Sequence, residues 1–193
     1  SPESEKVSGR INLLPGAHVT PGDIDELRDI FDGFGLEVTI LPDLSGSLDG
    51  HVPSDFTPTT LGGTSLNEAA RMGNAVHTIA LGEQMRAAAE ALQAKTGTPY
   101  TLFERLTGLE VNDRLIRLLM DLSGREVPRK IKRQRSQLVD AMLDGHFHFG
   151  GKKIAVGAEP DLLASFAHWF TEMGAFIQTA VTTTQSPVLE SLP

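Results

Sequence analysis

The apolar residues near the start of the chain switch between the period of a strand and the period of a helix. Residues 10–14 form a short apolar run that ends at a Pro-Gly pair, which predicts a strand. Apolar residues at helical spacing follow, so residues 20–35 predict a helix with Thr20 as its N-cap and Pro21 in its first turn. Residues 36–41 then alternate between apolar and polar side chains, which is typical of a strand. Strand, helix and strand in this order predict a right-handed parallel βαβ unit.

Two further strands are predicted downstream of this unit, at residues 76–81 and 99–103, and helices follow both of them. The alternation of strands and helices predicts the α/β class, with a parallel sheet, over residues 1–125. Residues 126–151 are predicted to be a long connecting helix followed by an extended segment. Residues 152–193 run strand, helix and strand. Because one such unit has too little sheet to bury its strands, it predicts the truncated start of a second α/β domain.

The long connecting helix is predicted from an apolar stripe that contains Leu138, Val139, Met142 and Leu143. Gly145 suits the position just past a helix end. Residues 146–149 alternate polar and apolar side chains over four positions, which favours an extended segment there.

Residues 42–63 show no periodicity and are rich in Pro, Gly, Ser, Thr and Asp. The segment follows the carboxyl end of a predicted strand, which is the edge where open α/β sheets bind ligands. One interpretation is a partner-facing loop, with Asp43 and Asp49 as candidate contact residues, and the other is an irregular cover over the sheet edge.

Gly62, Gly63 and Thr64 precede a predicted short helix, an arrangement that can bind an anion or can simply be a turn and a cap. The spacing matches neither the phosphate-binding loop nor the dinucleotide fingerprint. Ser65 and Glu68 match the capping box, and Leu66 is predicted to lie on the buried side of this helix.

His146 and His148 are the candidate metal ligands, since residues two apart in an extended segment point to the same side. Two imidazoles fall short of the three or four ligands that zinc requires in proteins, and no third ligand lies at a diagnostic spacing. The alternative is that Phe147 and Phe149 pack while the two histidines remain exposed or hydrogen-bonded.

Five cations lie within seven residues of an otherwise acidic chain: Arg129, Lys130, Lys132, Arg133 and Arg135. Lys132, Arg133 and Arg135 are candidates for contact with an acidic partner. The alternative is a solvated helix face, which is the usual role of a run of charges.

Composition narrows the possible functions. A formal net charge of -8 argues against nucleic-acid binding, which depends on Lys and Arg. No apolar run has the ~20 residues that cross a bilayer, so no membrane interaction is predicted.

The chain has no cysteine, and it therefore offers no thiolate for an iron–sulfur cluster. No nucleophile, base and acid occur in a recognisable set, so the segment is predicted to be non-catalytic.

Four stretches resemble subunits of the nitrogenase component 1 family, in the order in which the family has them. They are INLLPGAHVTPGDIDELRDIFDGFGLE from Ile11, LPDLSGSLDG from Leu41, FTPTTLGGTSLNEAARMG from Phe56 and QRSQLVDAMLDGHFHFGGKKIAVGAEPD from Gln134. Within the family the chain is most similar to the β-like subunit of the scaffold on which the iron-molybdenum cofactor is assembled. The resemblance implies an internal piece of such a subunit, with a Rossmann-like middle domain and the start of another domain.

The resemblance also implies partners and cofactors. Scaffold subunits of this kind pair with an α-like subunit in a cytoplasmic heterotetramer, with carrier proteins as further possible partners. The whole complex would carry iron–sulfur clusters and a cofactor precursor, whose ligands would lie outside this chain. Two other hypotheses remain open: a subunit of a redox enzyme of the same family (a nitrogenase molybdenum-iron β chain or a dark-operative protochlorophyllide reductase), and an independent nucleotide- or sugar-binding module.

Overall fold

The structure is a computed structural model, and it describes residues 5–46, 55–56 and 62–193. The chain forms two compact units, Ser1–Leu102 and Phe103–Pro193. The boundaries predicted at residues 125/126 and 151/152 stay predictions. The α/β class and the parallel sheets predicted from the sequence are confirmed.

A four-stranded sheet forms the centre of the first unit. Its strands are β1 (Arg10–Leu14), β2 (Glu37–Ile40), β3 (His77–Leu81) and β4 (Tyr100–Phe103), in the spatial order β2-β1-β3-β4. Strand β1 pairs in parallel with both β2 and β3, and Ile11 lies opposite Val38 on one side and His77 on the other. The chain therefore reverses its direction of winding between β1 and β3.

The helices of this unit are α1 (Pro21–Gly33), α2 (Leu66–Arg71) and α3 (Arg86–Thr96), with 3₁₀ turns at Met72–Asn74 and Glu83–Met85. The N-cap predicted at Thr20 and the capping box predicted at Ser65 are both present, and Thr20 also forms a capping box, with Asp23.

Both faces of the central strand are buried. On one face, Leu14 packs with Met72, Ala80 and Ala89. Successive strand residues point to opposite faces, so Ile11 and Leu13 lie on the other face, and both are almost completely buried. This two-sided burial explains why residues 11, 13 and 14 of β1 are all apolar.

Asn12 is the buried polar residue of β1. Its side chain is 1% exposed, and its Nδ2 donates hydrogen bonds to the Met72 carbonyl oxygen (3.0 Å) and to Thr78 Oγ1 (3.1 Å). A buried amide without partners is costly, so these bonds tie β1 to β3 and to the turn after α2.

The second unit contains α4 (Leu109–Ser123), α5 (Arg129–Phe149), β5 (Lys153–Gly157), α6 (Pro160–Glu172) and β6 (Phe176–Val181), then a 3₁₀ turn at Pro187–Ser191. Strands β5 and β6 form a two-stranded parallel sheet, and α6 packs on it with Leu163, Ala164 and Ala167 buried.

The predicted extended segment at residues 146–149 is wrong, because α5 continues through these residues to Phe149. The Gly150 amide donates to the His146 carbonyl oxygen at 2.8 Å, which closes the last helical turn. Gly145 does not end the helix. It lies where an added Cβ would be only 2.8 Å from Met173 Cε, so it admits close packing instead.

Helices α4 and α5 are joined by a bidentate ion pair. Arg135 Nε and Nη2 each donate to a carboxylate oxygen of Asp113, both at 2.7 Å. Hydrogen bonding from Arg135 lowers the pKa of Asp113. All three cations Lys132, Arg133 and Arg135 are exposed, but only Arg135 has an ion pair of this kind among the described residues.

The loops after β1 and β3 approach each other closely at Gly16. An added Cβ at this position would lie 2.5 Å from the Leu81 carbonyl oxygen, and 3.1 Å from both Gln84 Nε2 and His18 Cε1. Because the nearest atom belongs to the backbone, it cannot rotate away. The chain after β1 can pass this close to the end of β3 only if residue 16 has no side chain.

Replacing Gly16 with alanine should destabilise the chain by about 1–3 kcal/mol, the usual cost of overpacking a filled site. The matched control is Gly22→Ala, where the nearest neighbour of the added Cβ is 4.0 Å away. This control should be neutral or stabilising by about 0.4–1 kcal/mol, because alanine restricts the unfolded chain. Urea unfolding followed by circular dichroism measures both, and equal stabilities of the two variants would contradict the close approach.

Replacing Arg135 with glutamine should lower stability modestly at neutral pH, as is typical of an exposed ion pair, because it removes the pair with Asp113. Arg133→Gln should change stability little, since Arg133 is equally exposed but has no such ion pair among the described residues. The lowered pKa of Asp113 means that its contribution is present above its ordinary value of 3.8 and is lost as the pH falls through its folded-state pKa. The deficit of Arg135→Gln relative to the unmutated chain should therefore shrink as the pH is lowered below 4 in urea unfolding series. A deficit that is independent of pH would show that Arg135 stabilises by packing rather than by its charge.

Candidate functional site

The carboxyl ends of β1 and β3 form the position where an open α/β sheet of this strand order binds ligands, since the winding reverses between them. In this chain Gly16, just after β1, lies so close to the Leu81 carbonyl oxygen at the end of β3 that a side chain at residue 16 would clash with it. This contact reduces the space for a ligand at this edge of the sheet.

The N-terminus of α1, which starts beside this position, also lacks the features of an anion site. Pro21 in its first turn has no N–H to donate. The Asp23 carboxylate accepts hydrogen bonds from Thr20 N (2.8 Å) and Thr20 Oγ1 (2.7 Å), and so places negative charge where an anion would lie. These residues argue against the independent nucleotide-binding module.

The glycine turn at Gly62 and Gly63 helps to close the base of the loop. Both residues have a positive φ, 91° and 92°, and the Thr64 hydroxyl donates to the Ile40 carbonyl oxygen at the end of β2. Gly62 lies against Gly46, with its ideal Cβ position 3.3 Å from the Gly46 Cα. Residues 41–46 and 62–65 thus form the closed stem of the loop.

Asp43, which was predicted to contact a partner, forms contacts within the chain that stabilise this stem. Its carboxylate forms an ion pair with Arg28 of α1 and accepts hydrogen bonds from Ser45 N (3.1 Å) and Ser45 Oγ (2.7 Å). Its side chain is only 11% exposed. Asp49, the other predicted contact on this loop, lies outside the described residues.

Exposed apolar side chains, rather than carboxylates, distinguish the described part of this segment. Phe56 is 93% exposed, Leu66 is 89% exposed and Leu44 is 40% exposed. The prediction that Leu66 is buried is wrong, because no residue of α2 is buried. Because no side chain of this six-residue helix is buried, the spacing of its apolar residues could not show which side of the helix faces the solvent.

The two candidate metal ligands do not lie together. His146 and His148 are both in the last turns of α5, and residues two apart on a helix point about 200° apart. The His146 ring packs against Gly174, where an added Cβ would lie 2.7 Å from His146 Cε1. Among the residues that the structure describes, no three His, Cys, Asp or Glu side chains form a group that could hold a metal ion.

The groups with shifted pKa values do not form a catalytic set. Burial lowers the pKa of His77, whose Nε2 lies 2.8 Å from Thr101 Oγ1. Burial raises the pKa of Glu172, and Glu110 adds to this effect. Burial, followed by the nearby charge of Arg105, lowers the pKa of His168. Each shift has a local structural cause.

A pocket of about 170 Å³ on the first unit is lined by both signs of charge, from Arg10, Glu37, Glu68 and Arg71. Arg10 Nε donates to Glu37 at 2.9 Å, and the Glu68 carboxylate accepts from the Ser65 hydroxyl and amide of the α2 cap. Hydrogen bonds from Ser65 lower the pKa of Glu68, and the nearby charges of Arg28 and Arg71 add to this effect. No helix in the described part of the chain is both long and apolar enough to span a bilayer.

Comparison with known proteins identifies the family. The model of the family described as nitrogenase component 1 type oxidoreductase matches residues 1–193. The chain is 56% identical over 183 residues to the nitrogenase iron-molybdenum cofactor biosynthesis protein NifN of Bradyrhizobium diazoefficiens, which covers 95% of the chain and 39% of the relative. NifN of Nostoc sp. is 46% identical over 186 residues, 96% of this chain and 42% of the relative. The chain thus spans about two-fifths of the length of these relatives.

A solved structure agrees with the sequence relatives. The structure titled "Nitrogenase Cp1 at pH 6.5" superposes with a TM-score of 0.87 at 30% sequence identity, over 97% of this chain and 41% of that one. The superposition confirms the predicted Rossmann-like fold. Because the family model matches its whole length, the chain belongs to the nitrogenase component 1 family.

Proposed function

We propose that this chain is part of a scaffold subunit on which the nitrogenase iron-molybdenum cofactor is assembled, and that its residues contribute structure and subunit contacts rather than catalysis. The observation that carries the proposal is the 56% identity to a cofactor biosynthesis protein over nearly the whole chain. Identity at this level extends through both compact units, so it does not reflect a shared fold alone.

The chemistry of the side chains supports a non-catalytic role. The sequence contains no cysteine, so no thiolate is available to hold an iron–sulfur cluster. At the edge between β1 and β3, the close approach of Gly16 to the Leu81 carbonyl oxygen reduces the space for a ligand. Iron–sulfur clusters and the cofactor precursor would then be bound by other residues of the complete assembly.

The expected partner is an α-like scaffold subunit in a heterotetramer, and the structure suggests how the candidate contacts divide. Leu44, Phe56 and Leu66 offer apolar surface around the loop stem, a composition that suits the core of a protein interface. The exposed Lys132 and Arg133 suit an acidic surface, such as that of a carrier protein. Asp43 supports the first contact indirectly, by holding the stem in place.

A redox enzyme subunit of the same family is the second candidate function. The 30% identity to a nitrogenase structure over 97% of the chain favours it. The higher identity to the cofactor biosynthesis proteins favours the scaffold.

A segment exchange tests the proposal. Residues 1–193 should replace the corresponding segment of NifN in Bradyrhizobium diazoefficiens, and the exchanged strain should still assemble the cofactor and reduce dinitrogen. The matched control receives the corresponding segment of a nitrogenase molybdenum-iron β chain and should fail. Failure of the first exchange, with the hybrid protein present at normal abundance, would contradict the scaffold role.

The purified chain should retain no iron–sulfur cluster after anaerobic reconstitution with iron and sulfide, because it has no thiolate ligand. Iron and sulfide analysis after gel filtration measures this. Stoichiometric retention of both elements would require ligands other than cysteine and would count against the assignment of the clusters to other residues.

A further inference from the structure

The pocket of about 170 Å³ on the first unit has a polar floor formed by β1 and β2. Asn12 and Thr39, which lie opposite each other in register, both line it. Opposed residues of neighbouring strands point to the same face of a sheet, and so do residues two apart in one strand. Arg10 and Glu37, the opposed pair two residues earlier, therefore share this face. The floor thus consists of four polar side chains on one face of the sheet.

The side-chain oxygen of Asn12 is a buried hydrogen-bond acceptor. The orientation of the amide is fixed, because the atom that contacts the Met72 carbonyl oxygen must be a donor and is therefore Nδ2. Nδ2 also donates to Thr78 of β3, on one side of β1. The Oδ1 atom extends from the amide carbon in the other direction, towards the β2 side, where Thr39 lines the pocket.

No described residue donates a hydrogen bond to Asn12 Oδ1. Asn12 is only 1% exposed, so bulk water does not satisfy this atom either. Buried side-chain acceptors have a donor in nearly all folded proteins, because burial without one is costly. The Oδ1 atom therefore indicates that the pocket binds a group with an N–H or O–H to donate.

The second end of the pocket offers donors rather than an acceptor. Arg71 of α2 lines it and is exposed, and its guanidinium donates to no other residue in the described part of the chain. The other charged groups are already engaged: Arg10 donates to Glu37, and the Glu68 carboxylate accepts from the Ser65 cap. A ligand that joins the two ends needs a donor at one end and an acceptor at the other.

We propose that this pocket binds a small zwitterion of the α-amino acid class, whose ammonium group donates to Asn12 Oδ1 and whose carboxylate accepts from Arg71. A guanidinium group matches a carboxylate because two of its N–H groups bind the two oxygens together. An ammonium group has three N–H donors, so one can serve Oδ1 while another serves the Thr39 hydroxyl.

Charge and size both favour a zwitterion of this kind. The lining contains two arginines and two glutamates, so a ligand without net charge leaves the pocket balanced. A simple anion would leave the buried Oδ1 without a donor, and a simple cation would leave Arg71 without an acceptor. Sites for drug-sized molecules have volumes of roughly 300–1,000 Å³, so this smaller pocket suits a ligand of few non-hydrogen atoms.

Nuclear magnetic resonance titration of the ¹⁵N-labelled chain with L-alanine tests the proposal. L-alanine at millimolar concentrations should shift the backbone amides of Thr39 and Arg71 and the side-chain amide of Asn12, and the shifts should saturate. Two matched ligands each lack one end: L-lactate has a hydroxyl in place of the ammonium group, and ethylamine has no carboxylate. Each should bind about tenfold more weakly than L-alanine, because each loses a charge-assisted hydrogen bond.

The outcomes of this titration are distinct. L-lactate that binds as tightly as L-alanine would indicate a site for a hydroxy acid or a simple anion, and ethylamine that binds as tightly would indicate a site for a cation. Either result would overturn the proposal, and so would the absence of saturable shifts with L-alanine and with glycine at tens of millimolar. The scaffold role does not require this pocket, so none of these results bears on it.

A variant of Arg71 gives a second test, because Asn12 itself bonds β1 to β3 and its replacement would disturb the sheet. Arg71→Gln should raise the dissociation constant of L-alanine about tenfold and leave that of ethylamine unchanged. Arg133→Gln, the same substitution at an exposed arginine that does not line the pocket, should change neither constant. Urea unfolding verifies that both variants fold. Unchanged L-alanine binding by Arg71→Gln, or an equal loss in Arg133→Gln, would contradict the proposed site.

Discussion

The first unit depends on the burial of β1 on both of its faces. Leu14 on one face is covered by Met72, from the turn before β3, and by Ala89, from the helix after it. Ile11 and Leu13 on the other face are almost fully buried as well. Beyond the end of β1 the chain stays close to β3, where Gly16 lies against the Leu81 carbonyl oxygen. The packing of the central strand thus continues to the edge at which other open α/β sheets bind ligands.

The irregular segment after β2 is attached to this core by polar contacts rather than by apolar burial. Asp43 is held by Arg28 and Ser45, and the Thr64 hydroxyl bonds to the last carbonyl group of β2. A loop fixed at its stem in this way keeps nearby apolar side chains on the surface at little entropic cost. The polar anchor and the exposed Leu44 and Leu66 are therefore complementary parts of one arrangement, in which carboxylates hold the loop and apolar groups remain for contact.

The sequence was sufficient for the features that depend on neighbours along the chain. An apolar run located β1 and alternation located β2. The N-cap Thr20 and the pair Ser65–Glu68 located two helix starts, because such caps are complete within a few residues. The prediction failed at residues 146–149, because an alternation over four residues fits the end of an amphipathic helix as well as it fits a strand. The decisive contact there is between Gly145 and Met173, which are distant in sequence.

The candidate site residues show the same limit of prediction from the sequence, because their roles depend on residues that are distant along the chain. Asp43 was predicted as a contact because it lies in a loop, but its role depends on Arg28, which is 15 residues earlier in α1. Arg135 was grouped with its cationic neighbours, but its charge is matched by Asp113, which is 22 residues earlier in α4. Side-chain pairs formed between elements leave no local pattern, so the sequence could identify which residues are charged and not which charges remain available.

The two βαβ units of the chain show how one topology can support different surfaces. In the first unit, the edge strand is charged and is followed by a proline, and further strands continue the sheet on the side of β1 away from β2. In the second unit, the corresponding strand β6 is uncharged, while the lysines lie on β5 and just before it. In both units the second strand of the βαβ unit pairs in parallel with the first strand. The difference between β2 and β6 therefore lies in their sequences, since one strand carries Glu37 and the other carries no charge, and not in the topology that places them.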